Sequence, residues 1–151
     1  MSELIESAGK RYEEMLNAHQ KVDVLSSEPD RNTETFDIKF QFERLKLLLI
    51  LDEDDTPFVR IILPNFYSID TAEERRQMHN AVSRANQLCK GVKVFLNGDE
   101  TDTTIVAEFL DPYLLGAKSG TYPEKGFPAE LLHRYIEMIM SAASYYAGKM
   151  R

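Results

Sequence analysis

Several common chemistries lack their raw material in this sequence. Only one cysteine is present, Cys89, which excludes an intrachain disulfide and a zinc site built on paired thiolates. Long apolar runs are missing: the run of note, Leu47 to Leu51, falls far short of the ~20 residues that span a bilayer. Positive charge is in deficit. Lys and Arg number 18 against 25 Asp and Glu, a net charge of −7. By bulk charge there is no basic face for duplex nucleic acid, and an anionic membrane surface is disfavoured. The opening stretch MSELIESAGK carries acids where a signal peptide has a basic start and an apolar stretch. With 151 residues, 43% of them hydrophobic, and ordinary Gly and Pro usage, the expectation is a single soluble, cytoplasmic domain over residues 1–151, because domains cluster at ~100–150 residues.

What is present is strong periodicity. Ser2 can cap a first helix running from about residue 3 to 20, with Leu4, Ile5, Ala8, Tyr12, Met15 and Leu16 on one stripe and Gly9 on the other side. Ser26 to Asn32 reads as a polar loop. Phe36, Ile38, Phe40 and Phe42 alternate with polar residues, which predicts a strand with one wet face. Leu45–Leu51 and Phe58–Leu63 predict two more strands, with Asp52 to Thr56 as the turn and Pro64 as the stop. Both carry apolar residues on both faces, so both faces should be covered. Asp70 with Glu73 opens a second helix that Gly91 ends. Val92–Leu96 and Thr103–Phe109 then form a hairpin whose turn starts at Asn97-Gly98. Residues 110–126 read as a long connection. Pro128 starts a last helix that runs to about Ala147. The class is α+β, an antiparallel sheet in the order helix, three strands, helix, two strands, helix.

No catalytic constellation stands out. His19, at the end of the first helix's buried stripe, reads as a packed or dipole-favoured imidazole. His79 suits a structural hydrogen bond, and His133 a solvated pair with Glu137. All three are expected to be dispensable. Leu115 to Ser119 resembles a P-loop only briefly: Gly is missing before Lys118, and Pro112 stands where the first Gly belongs. The acidic turns Asp52–Asp55 and Asp99–Asp102 lack calcium-loop spacing and read as solvated hairpin tips. The chain is therefore expected not to be an enzyme and to carry no cofactor or metal.

The last helix is unusually wide. Its apolar residues spread over roughly 200° at ~100° per residue, about twice the arc one core needs. Lateral contact with another helix of the same core would account for the surplus. Burial against a second copy is the sharper reading, and a homodimer is expected. The partner-binding candidates are Met138, Met140 and Tyr145 on the edges of that helix, together with Leu48, Ile50 and Ile62 from a sheet face.

The segment from Asn80 to Phe109, NAVSRANQLCKGVKVFLNGDETDTTIVAEF, resembles the helix–hairpin of YbjN-type domains. Those domains share the fold of type III secretion chaperones. An Asn late in the helix, a Lys in the next strand and an acid in the last strand correspond to Asn86, Lys93 and Glu108, all expected to be structural. The resemblance implies a small, often dimeric, non-enzymatic domain whose relatives bind polypeptide segments or act as regulators. The expected function is a chaperone-like or adaptor domain that binds a polypeptide partner. The alternative is a small-molecule sensor or regulatory subunit with the 110–126 loop as a lid.

Overall fold

In this computed structural model, which describes residues 1–120 and 128–151, helix α1 spans Glu3–Asn17. Ser2 caps it: its Oγ accepts from the Ile5 N–H at 3.3 Å, with Glu3 and Glu6 beside the positive end of the helix dipole. Gly9 sits on the buried side, contrary to expectation. A Cβ built there would lie 2.4 Å from the Phe36 ring, so glycine is what allows α1 to approach the sheet this closely.

Strand β1 covers Val22–Asp30 and pairs antiparallel with β2, Thr35–Phe42. The stretch 26–32, expected as a loop, is thus mostly strand. Turn-type residues are tolerated because β1 is an edge strand, hydrogen-bonded on one side only. A bulge between Val24 and Ser26 turns Leu25 outward, where it is 53% exposed. β3, Leu45–Asp52, and β4, Phe58–Ser68, follow. Pro64 does not end β4. The register shifts between Leu63 and Tyr67, Asn65 adopts φ 47°, and its N–H donates to Thr104 Oγ1 at 3.3 Å. The irregularity takes the imino nitrogen out of the ladder, and pairing resumes beyond it.

Helix α2 spans Ala72–Leu88. Its cap is Thr71, not Asp70: Thr71 Oγ1 accepts from the Glu74 N–H at 3.1 Å, while Glu74 reaches back to the Asp70 N–H at 3.3 Å. The hairpin of β5, Lys93–Leu96, and β6, Asp102–Leu110, forms as expected. Residues 112–119 then depart from expectation by forming helix α3, Pro112–Ser119. Asp111 at the cap and Pro112 in the first turn are the pair that favours a helix start. The remainder of the expected lid, 121–127, lies outside the described residues. Helix α4 is Ala129–Met150.

The class is α+β. The sheet is antiparallel throughout, in the order β1-β2-β3-β4-β6-β5. All the large helices lie on one face. Beneath them Phe36, Ile38, Phe40, Leu47, Leu49, Leu51, Val59, Ile61, Ile105, Ala107 and Phe109 join Tyr12, Leu16, Met78, Ile136 and Tyr146 in one continuous core. Tyr135 stacks on Phe109 at 4.3 Å between ring centres, and Thr103 donates to the buried Tyr146 hydroxyl at 2.8 Å.

Candidate protein-binding face

Among the described residues, no helix lies over the opposite face of the sheet, although its centre is apolar. Side chains alternate along each strand, so the neighbours of the buried residues point outward. The ladder places Lys39, Leu48, Ile62, Val106 and Lys93 in one row across β2, β3, β4, β6 and β5. The adjacent row is Asp37, Ile50, Arg60 and Glu108. Leu48, Ile50 and Ile62 keep part of their surface in water. Around them Leu25, Phe58, Phe95 and Leu110 are each more than two-fifths exposed. Among the described residues, the expectation that both faces would be covered thus fails.

Two cations of this face are tied down. Arg60 lies 3.8 Å from both Asp52 and Asp55, and Lys93 lies 3.4 Å from Glu108. The Lys93–Glu108 pair is therefore a cross-strand contact in solvent, worth at most a few tenths of a kcal/mol to about 1 kcal/mol.

Both edges of the sheet are blunted. On the β5 side, Asn86 of α2 makes a reciprocal pair with one strand residue. Its Nδ2 donates to the Val94 carbonyl at 2.8 Å, and its Oδ1 accepts from the Val94 N–H at 2.7 Å. The side-chain amide occupies the place of the next strand. On the β1 side, the Leu25 bulge and Pro29, which has no N–H, interrupt the run of free backbone groups.

Met138, Met140 and Tyr145 belong to the other layer. All three are half-buried, and Met140 and Tyr145 pack against the core on the helix side. Met138 and Tyr145 line a hollow with Leu88 and Cys89 at the end of α2, and a Cβ built on Gly91 would lie 2.7 Å from the Met138 sulfur. On the Met138 and Tyr145 border, the surplus arc of α4 thus faces the end of α2 within one chain. These three residues cannot form one patch with Leu48, Ile50 and Ile62, because the sheet separates them.

The histidines are less isolated than their sequence positions suggest. His19 and His133 meet edge to face with ring centres 4.3 Å apart, and Phe42 lies 5.5 Å from His19. His19 Nδ1 accepts from the Lys21 N–H at 3.0 Å. His133 Nε2 donates to the Met15 carbonyl at 3.3 Å, near the end of α1. His133 is thus a helix-to-helix tie and not a solvated partner of Glu137. Partial burial, then His133 and Lys21 nearby, push the His19 pKa below the ordinary imidazole value. His79 makes the expected structural contact, 3.3 Å to Glu100 Oε2 in the hairpin turn.

Sequence reading also missed Asp111, which is fully buried. Its Oδ1 accepts from the Tyr113 and Leu114 N–H groups at 2.7 and 3.2 Å. Its Oδ2 accepts from Arg11 at 2.6 Å and from the Tyr12 hydroxyl at 2.7 Å. Burial and the adjacent carboxylate push the Tyr12 pKa well above the ordinary phenol value, so it stays a donor. The Asp-Pro pair before α3 was the available signal. With both oxygens engaged twice, the carboxylate is saturated, and the network ties α1 to α3. Leu115 and Gly116, from the P-loop-like stretch, lie within helix α3, which provides no phosphate cradle. Among the described residues no group of three or more His, Cys, Asp or Glu is placed to hold a metal ion. None of the described helices is long and apolar enough to cross a membrane.

Compared with known proteins, the chain matches no family model, no curated protein and no solved structure.

Proposed function

We propose that this chain is a non-enzymatic protein-binding domain, chaperone-like or adaptor-like in the manner of YbjN-type domains, that works in the cytoplasm and docks a polypeptide on the open face of its sheet. One observation carries the reading: Leu48, Ile50 and Ile62 form an apolar centre on a face that the described helices leave uncovered. Contiguous apolar surface of this kind marks interaction sites on soluble domains. The blunted edges argue for docking on the face over addition of a strand. Homodimerisation is part of the same reading. With one border of the α4 arc facing α2, a second copy would use this face.

The test is binding of a reduced, alkylated and permanently unfolded polypeptide, followed by fluorescence polarisation, with light scattering on the purified chain. Micromolar binding or a dimer is expected, and Leu48→Glu with Ile62→Glu should weaken either by at least about tenfold without lowering the melting temperature. A monomer that binds no unfolded chain, or binding indifferent to these substitutions, overturns the proposal.

A further inference from the structure

On the open face, Leu25, Leu48 and Pro64 wall a hollow of about 270 Å³ whose floor is the backbone of the Phe40–Leu47 pair, with Lys39 and Lys46 at its rim. We infer that this hollow takes the side chain of one bulky apolar residue in an acidic peptide segment, with neighbouring Asp or Glu carboxylates meeting Lys39 and Lys46. The inference rests on the open face being the docking surface and specifies the chemistry of its partner.

Size favours a side chain over a free ligand. Small-molecule pockets run to about 300–1,000 Å³ and enclose most of what they bind. This hollow is smaller, and Leu25, Pro64 and both lysines stand exposed around it. Its shape comes from two irregularities: the β1 bulge that turns Leu25 outward, and the β4 register shift just after Pro64.

Charge supplies the second half. The outward-facing cations Arg60 and Lys93 have carboxylate partners, whereas Lys39 and Lys46 form no ion pair among the described residues. The ladder sets Lys39 opposite Leu48 and Lys46 opposite Gln41, so the two lysines lie diagonally across β2 and β3 at one border of the apolar surface. Asp37, on the same strand and face, does not reach Lys39. The lysine stems extend the apolar wall while the ammonium groups stay in water, ready for an external carboxylate. The net charge of −7 does not oppose this at contact range, because charges more than about 8 Å apart are screened at physiological ionic strength.

The experiment selects binders to the full chain from a phage-displayed library of random dodecapeptides and measures the best peptide by fluorescence polarisation. The expected peptides carry Leu, Ile or Phe within two residues of Asp or Glu. Their affinity should fall as salt is raised. The double variant Lys39→Glu with Lys46→Glu should bind them at least about tenfold more weakly and prefer the counterpart in which Asp and Glu are replaced by Lys. Melting curves check that this variant folds, and Lys39→Gln with Lys46→Gln serves if it does not. Selected peptides without acidic bias that lose binding on Leu48→Glu would overturn this inference and leave the open docking face standing. Failure to select any peptide, with no effect of Leu48→Glu on unfolded-chain binding, would overturn both. A dimer that buries the hollow against a second copy, and that no peptide displaces, would overturn the acidic-peptide assignment alone.

Discussion

On β3, Leu47, Leu49 and Leu51 are at most 2% exposed, while Leu48 and Ile50, one residue away, keep part of their surface in water. The side chains are near-identical. What separates them is the layer of α1, α2 and α4, which lies above one face and, among the described residues, has no counterpart on the other. The other strands repeat the contrast with Ile61 against Ile62 and Ala107 against Val106, although Val106 is sheltered by its neighbours in the row. Apolar residues on both faces of a strand therefore state that both faces avoid water, and not that one chain covers both.

The sharpest way to break this comparison is a pair of truncations. Leu49→Ala should cost about 2–5 kcal/mol, the usual penalty for a cavity in a close-packed core. Leu48→Ala should cost about 1 kcal/mol or less, since little packing is lost on an open surface. Urea denaturation reads both, and equal costs would mean that the outer face is covered after all.

Next in size is Gly9→Ala. Helix propensity alone favours Ala by ~1 kcal/mol. On the covered side the new Cβ would lie 2.4 Å from the Phe36 ring, so a net loss of about 1–3 kcal/mol is expected. A stabilised variant would show that α1 packs less closely than described.

Asn86→Ala tests the edge instead of either face. It removes both bonds to Val94, and a loss of about 1 kcal/mol is expected. Faster hydrogen exchange at the Val94 amide is the specific sign, and unchanged exchange there would contradict the clamp.

The smallest effect concerns pH and the His19–His133 contact at one end of the helical layer. The folded His19 pKa lies below the ordinary 6.5, so the unfolded chain binds the proton first. Stability should therefore be complete above pH 6.5, decline as pH falls below it, and level off once the folded imidazole is also protonated. His19→Gln should flatten that decline in a series of melts across the range. An equally steep decline in the variant would assign it to other groups.

Where the sequence was legible, regular periodicity made it so. β2, β3, the first part of β4, α2, the β5–β6 hairpin and α4 follow from alternation or helical stripes that one buried face imposes. β1 escaped because an edge strand needs few apolar residues. Its Ser26-Ser27-Glu28-Pro29-Asp30 stretch has the composition of a turn, and its strand character comes from a partner across the ladder. α3 is hard to see because it is short and its start signal, Asp111-Pro112, equally suits a loop. Of the candidate site, Leu48, Ile50 and Ile62 were legible as outward apolar residues. That Met138, Met140 and Tyr145 lie behind the sheet was not, since helical spacing fixes an arc but not the neighbour that fills it. Asn86 was legible as structural, though its partner, a strand backbone, was not. The meeting of His19 with His133 and the ties of Asp111 to Arg11 and Tyr12 join residues about a hundred positions apart, which no local pattern encodes.

The Asn86 clamp and the interrupted β1 edge also bear on stoichiometry. A sheet that recruits through a free edge presents a new free edge after each addition, so growth has no natural end and leads toward fibres. A sheet that recruits through one face is saturated once that face is covered. With both edges blunted, the proposed association through the outer face would stop at a single partner, and raising the concentration would fill sites instead of lengthening a polymer.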